Sequence, residues 1–186
     1  MKTTILLALV SLLGAATLRS QSSDASVDFD KARQLFEKHQ SGGTLTADEE
    51  AYIERARAAH DAQMKKQGGG VIINVGSVAL RLGMPNLTHY LASKGGLVGL
   101  TRGLARDLGA HGIRVNCLHL GAILTEGELR LFPDQAAILK SLEEKQSLPG
   151  RLTPESIEPT FAFFASDDSS DITGQCLTID RGWVHD

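Results

Sequence analysis

Val71-Ile-Ile-Asn-Val75, running on into Gly76-Ser77, is the stretch on which the fold turns. It is an apolar run of strand length, rich in β-branched residues, as expected of a strand buried on both faces of a parallel sheet. Gly68-Gly69-Gly70 separates it from what comes before. Beyond it, Thr88 to Ala110 reads as a long amphipathic helix, with Leu91, Leu97, Leu100, Leu104 and Leu108 as its core stripe and Gly112 near its end. Ile113-Arg-Val-Asn-Cys-Leu118 reads as a second strand, 122–147 as loop and helix, Pro154 to Ser166 as a helix, and Gln175-Cys-Leu-Thr-Ile-Asp180 as a third strand. Strands alternating with helices predict a parallel α/β sheet with right-handed crossovers.

Upstream of Gly68 the pattern is different. Lys2, an apolar run from Ile5 to Leu13 and then Gly14-Ala-Ala16 have the order of a secretory signal peptide, and the run is short for a membrane span. A buried N-terminal helix or strand is the other reading. Ser20 to Val27 is polar and reads as a linker. Phe29, Ala32, Leu35 and Phe36 have helical spacing; Thr46 and Glu49 make a capping box that opens a second helix, with Ala51, Tyr52, Ala56, Ala59 and Met64 available for packing. The expected organisation is therefore a leader over 1–20, a linker and helical hairpin over 21–66, and an α/β domain over 67–186. A net charge of -3 gives no basis for binding nucleic acid. The two cysteines, Cys117 and Cys176, are too few for a disulfide framework and lack ligand spacing, so they read as packed thiols, with no metal expected.

Ser77, Tyr90 and Lys94 carry the chemistry. Tyr90 and Lys94 lie four apart on the predicted helix, so both leave the same face. Ser77 directly follows a buried strand, at the carboxyl end where parallel sheets place reactive side chains. A phenol is a poor proton donor–acceptor near neutrality, and a neighbouring ammonium improves it by stabilising the phenolate. Such a tyrosine can protonate a carbonyl oxygen as hydride arrives, while a serine hydroxyl holds the same oxygen in line. Taken alone, a Tyr and a Lys four apart are more often mere surface neighbours. His119 and Cys117 read as core or strand-end residues, and His89 as part of a solvated helix N-terminus.

The order of motifs around this set decides the matter. Asn74-Val-Gly-Ser77, then Pro85, then Tyr90-Leu-Ala-Ser-Lys94, resembles the Asn-x-Ser-Ser … Tyr-x-x-x-Lys segment of the short-chain dehydrogenases/reductases. Leu100 to Leu108, His111-Gly-Ile-Arg-Val-Asn116, Gly121-Ala-Ile-Leu-Thr125, Phe164 to Asp168 and Ile172 to Trp183 are similar to the segments that follow, with Leu120 in place of a proline and Arg181 in place of a glycine. The series begins at about Met64. The resemblance implies a partial Rossmann-like parallel sheet of about three strands with flanking helices. It implies an NAD(P)-dependent oxidoreductase that interconverts a secondary alcohol and a ketone, with Ser77, Tyr90 and Lys94 catalytic. Tyr90, Lys94, Gly121, Ile123 and Thr125 would meet the nicotinamide side of NAD or NADP, and Glu126 to Lys145 would cover the substrate. The implied partners are a small alcohol or ketone and a second copy, paired through the Tyr90–Lys94 helix and the last strand; no nucleic acid is implied, and no membrane in the mature form.

The same family opens on a Thr-Gly-x-x-x-Gly-x-Gly turn that lays backbone N–H groups against the cofactor pyrophosphate. These 186 residues contain no such turn, since Gly14, Gly42 and Gly43 are the only glycines before Gly68. The expectation is a truncated domain fused to a secretory-type segment, with cofactor binding weakened or lost. The alternative is a catalytically inactive remnant or fusion product acting as an interaction or assembly subunit. A used leader would place the chain in the periplasm or outside the cell, whereas the family resemblance alone suggests the cytoplasm. The missing strands also leave the Val71–Val75 edge in need of a cover.

Overall fold

The computed structural model describes residues 5–8, 27–40 and 43–185, which fall into two compact units, one ending at Gly69 and the other running from Gly70 and taking in residues 5–8. The first is a pair of helices, α1 (Phe29–Gln40) and α2 (Ala47–Gln67). The capping box read from the sequence is present: the Glu49 N–H donates to Thr46 Oγ1 at 3.2 Å, and the Thr46 N–H donates to the Glu49 carboxylate at 2.7 Å. Lys38 of α1 reaches the same carboxylate at 2.8 Å, and the Phe29 ring stands edge-on to His60 with centroids 5.9 Å apart. Ala56 and Met64 are buried as expected, but Ala51 is exposed and His60 takes an inner position.

The second unit is a sheet of four parallel strands, β1 (Ile5–Ala8), β2 (Gly70–Ser77), β3 (Ile113–Leu120) and β4 (Cys176–Ile179), in the order β1-β2-β3-β4. The three strands expected from the sequence are β2, β3 and β4. The fourth, β1, lies along β2 in the register Ile5↔Val71 to Ala8↔Asn74, so the open edge has its cover. The rest of the leader and linker expectation, over 1–4 and 9–26, lies outside the described residues. Among the described residues no helix is long and apolar enough to cross a membrane.

Among the described residues five α-helices complete the unit: α3 (Ala79–Leu82), α4 (Thr88–Leu108), α5 (Glu126–Leu131), α6 (Gln135–Glu143) and α7 (Pro154–Ala165). α7 packs on one face of the sheet, where Val71, Ile73, Leu118, Phe164 and Ala165 form a core with Phe161, Ile172 and Ile179 against it. Ile73 and Leu118 are wholly buried, and each contributes roughly 1.5–3 kcal/mol of apolar burial. Arg114 of β3 closes the carboxyl end of α7, donating to the Phe164 carbonyl at 3.1 Å and the Ser166 carbonyl at 2.9 Å. Asn116 ties down the approach to β4 by donating to the Ile172 carbonyl at 2.8 Å and accepting from the Gln175 N–H at 3.0 Å. The Arg114-Val-Asn116 motif is thus a structural staple.

α4 packs on the sheet's other face, and its buried residues are Lys94, Leu97, Thr101 and Leu108. This differs from the expected leucine stripe, of which Leu91, Leu100 and Leu104 are only half-buried. The sheet offers polar partners here. Asn74 donates through Nδ2 to Thr101 Oγ1 at 2.8 Å, and the Thr101 hydroxyl donates in turn to the Leu97 carbonyl at 2.7 Å. A helix facing such a strand can bury polar groups where leucine spacing alone would not place them.

Candidate active site

Lys94 is the best-defined member of the site. It is 7 % exposed, and its ammonium donates to the Val75 carbonyl at 2.8 Å, two residues before Ser77. Burial pulls its pKa below the ordinary lysine value, an effect that Cys117 nearby partly offsets. The ammonium lies 5.5 Å from the centroid of the Tyr90 ring, so the four-residue spacing does bring the two side chains together. Two of the three ammonium N–H groups have no acceptor among the described residues. Tyr90 is half-buried, and no hydrogen bond joins its hydroxyl to Ser77 Oγ among the described residues.

Ser77 is the last residue of β2 and is buried. Its Oγ accepts the Ala79 N–H at 3.2 Å and so tightens the turn into α3; its carbonyl faces His119 Nδ1 at 3.1 Å. The structure therefore links Lys94 to the strand that carries Ser77 and sets Tyr90 beside Lys94. His89 is exposed at the start of α4, as read.

The loop after β3 supplies the remaining candidates. Ile123 forms an isolated parallel bridge with Leu152. Thr125 is the N-cap of α5; its Oγ1 accepts the Glu128 N–H at 3.2 Å, which leaves its own proton free to donate. Gly121 has a packing reason for being glycine, because a Cβ there would stand 2.9 Å from Asp180 Cα. The expected cover is made of α5 and α6, with Leu129, Leu131 and Phe132 exposed, and Glu128 of α5 is ion-paired with Arg151.

Sequence spacing missed one feature. Cys117, His119 and Cys176 meet across β3 and β4, with their ligand atoms all within 4.8 Å of one another. Burial, with Cys176 beside it, pushes the Cys117 thiol up to about 12. Burial also lowers the His119 imidazole below its ordinary value, against the contrary pull of the Ser77 carbonyl. The cross-strand register makes this cluster, and a linear sequence shows no register.

A parallel sheet sandwiched between helices, with a Tyr-Lys pair beside the carboxyl end of an inner strand, is a Rossmann-like architecture. A family model described as enoyl-(acyl carrier protein) reductase matches residues 38–184, and the chain belongs to this family of short-chain dehydrogenases/reductases. The match begins well ahead of Met64, inside α1. The chain is 40% identical over 120 residues to the D-xylose 1-dehydrogenase of Caulobacter vibrioides, covering 64% of this chain and 48% of that protein. It is 39% identical over 120 residues to a 3-oxoacyl-(acyl-carrier-protein) reductase of Chlamydia trachomatis, covering 64% of this chain and 47% of that one. Among solved structures it is similar to a gluconate 5-dehydrogenase from Burkholderia cenocepacia in complex with NADP and tartrate, with a TM-score of 0.62 and 31% identity over 74% of this chain and 52% of the other. The chain spans about half the length of the relatives it matches.

Proposed function

We propose that this chain interconverts a secondary alcohol and a ketone, using Ser77, Tyr90 and Lys94 with NAD or NADP. One observation carries the reading: a buried lysine ammonium, fixed on the Val75 carbonyl at 2.8 Å, lies over the Tyr90 ring. Burying an ammonium is costly unless its N–H groups find acceptors, and two of these have none among the described residues. The hydroxyls of a nicotinamide ribose are acceptors of the right kind, so the residues present fit that half of the cofactor. Lys94 would hold the ribose, while Ile123 and Thr125 would meet the nicotinamide side. The bound cofactor supplies or accepts the hydride.

The chain's own part is proton transfer and alignment. Tyr90 gives its hydroxyl proton to the substrate oxygen in the reductive direction and takes it back in the oxidative one. Ser77 Oγ, which already accepts the Ala79 N–H, keeps its proton to donate to the same oxygen. α5 and α6 shield the oxygen from water. The full chain, incubated with NADH or NADPH and a panel of ketones, should consume the reduced cofactor. Tyr90→Phe should lower turnover by about 10²–10⁴-fold with little change in melting temperature. Equal turnover by Tyr90→Phe and the parent would refute the assignment.

A second reading, an assembly subunit without turnover, is favoured by β4, which among the described residues pairs with β3 alone and exposes Leu177. It predicts paired copies in sedimentation and no cofactor consumption. A monomeric chain at all concentrations would remove it.

A further inference from the structure

The Cys117–His119–Cys176 cluster lies on the α4 face of the sheet, and the redox chemistry above makes no use of it. In the β3–β4 ladder Cys117 is opposite Cys176 and His119 is opposite Thr178. Residues 117 and 119 share a face because they are two apart on one strand, and Cys176 joins them from the next strand. His119 is 2 % exposed, and its Nε2 has no partner among the described residues. The Ser77 carbonyl can only accept, so the 3.1 Å contact puts the proton on Nδ1 and leaves Nε2 as a bare lone pair in the interior.

Two more observations come from β2. Asn74, opposite Cys117, has a buried Oδ1 with no partner among the described residues, and the commitment of its Nδ2 to Thr101 fixes the orientation of the amide. Gly76, opposite His119, leaves room: a Cβ there would stand 3.0 Å from Cys117 Sγ and 3.1 Å from His119 Nδ1.

We propose that Cys117, His119 and Cys176 bind a thiophilic divalent cation of the zinc class. Tetrahedral zinc with bonds of about 2.3 Å to sulfur and about 2.0 Å to nitrogen holds its ligand atoms roughly 3.5–3.8 Å apart. Atoms already within 4.8 Å of one another need to close by no more than about 1.3 Å. On binding, each thiol gives its proton to solvent, and the two thiolates cancel the charge of the cation. The product is neutral, as a buried site near the Lys94 ammonium requires. Two sulfurs and a nitrogen exclude calcium and magnesium, which take oxygen donors. The Ser77 carbonyl on Nδ1–H is an outer-shell partner that orients the ring. Three protein ligands leave one coordination position, for water or for Asn74 Oδ1. Cys176 is half-buried and provides a way in. An occupied site would also steady the end of β2 that carries Ser77.

The full chain, reduced and stripped of metal by a chelator, is titrated with cobalt(II) as the probe, following thiolate-to-cobalt charge-transfer absorption, and zinc is then added in competition. The expected result is one cobalt per chain, displaced by zinc, with affinity weaker by at least ~10-fold in Cys176→Ser and in His119→Gln. A wild-type chain that is folded and reduced but shows no charge-transfer band overturns the proposal, as does a band unchanged in both variants. Should a variant fail to fold, the wild type decides on a second measurement: zinc should slow alkylation of Cys176, and an unchanged alkylation rate overturns the proposal.

Discussion

Gly76 stands where the family pattern has serine, and the register of β2 on β3 gives the reason. It lies opposite His119, and a Cβ on it would meet the Cys117 sulfur at 3.0 Å and the imidazole at 3.1 Å. Both neighbours are held in a packed interior and have little freedom to yield. Gly76→Ala should therefore destabilise the chain by about 1–3 kcal/mol in urea unfolding, and Cys117→Ala should recover part of that loss in the Gly76→Ala background. No recovery would place the strain elsewhere. At this scale the sequence is informative where the signal is local. The Tyr90–Lys94 spacing predicted two side chains on one face, and the Lys94 ammonium does lie over the Tyr90 ring. Gly76, Cys117, His119 and Cys176 have no local signal, because their meeting depends on which residues stand opposite across three strands. Arg181, flagged as a departure from glycine, has φ 60 and bonds through its guanidinium to the Leu148 carbonyl at 3.3 Å. A left-handed position was foreseeable there; the compensating bond was not.

Among the elements, α2 shows how far a local rule reaches. Its capping box was legible because the groups involved lie within one turn. The Lys38 contact from α1 was not, and Lys38 is the largest cause holding the Glu49 carboxyl down at about 2, followed by the Thr46 N–H. A carboxyl lowered in the folded state stabilises that state fully above its ordinary value of 4.5, and the benefit is lost as pH falls from 4.5 toward 2. The gap in denaturation midpoint between the parent and Glu49→Gln should thus be widest above pH 4.5 and close near pH 2. A gap independent of pH would assign the effect to something other than the charge. α5 poses the opposite case, an element held by a buried pair. The Arg151 and Glu128 side chains are 11% and 16% exposed, and Arg151 Nε and Nη1 find no other partner among the described residues. Removing Glu128 alone leaves a guanidinium uncompensated, so Glu128→Ala should cost about 3 kcal/mol, while Glu128→Leu with Arg151→Met should recover most of it. Thermal unfolding of the two singles and the double completes the cycle.

For the whole molecule, the order of strands and helices was readable because each strand is a continuous apolar run and each helix has its own stops. β1 was harder to assign, since an apolar run that begins after a lysine has the same composition whether it serves as a leader or as a sheet edge. The two roles exclude each other once a leader is cleaved, because Ile5–Ala8 pairs along Val71 to Asn74. The completeness of the nucleotide site is also a property of the whole chain. The residues proposed for cofactor contact, Tyr90, Lys94, Gly121, Ile123 and Thr125, are all expected at the nicotinamide end. No Gly-rich turn for the pyrophosphate occurs in the 186 residues. Three charge-assisted hydrogen bonds at about 2 kcal/mol each would be worth about four orders of magnitude in affinity. If those bonds are missing, the adenylate half of the cofactor adds almost nothing to binding. Reduced nicotinamide mononucleotide and NADPH should then bind the chain with dissociation constants within ~10-fold of each other, measured side by side by calorimetry. If the dinucleotide binds a thousandfold more tightly, some part of this chain holds the pyrophosphate without glycines, and the anion-binding backbone must be sought outside the residues named here.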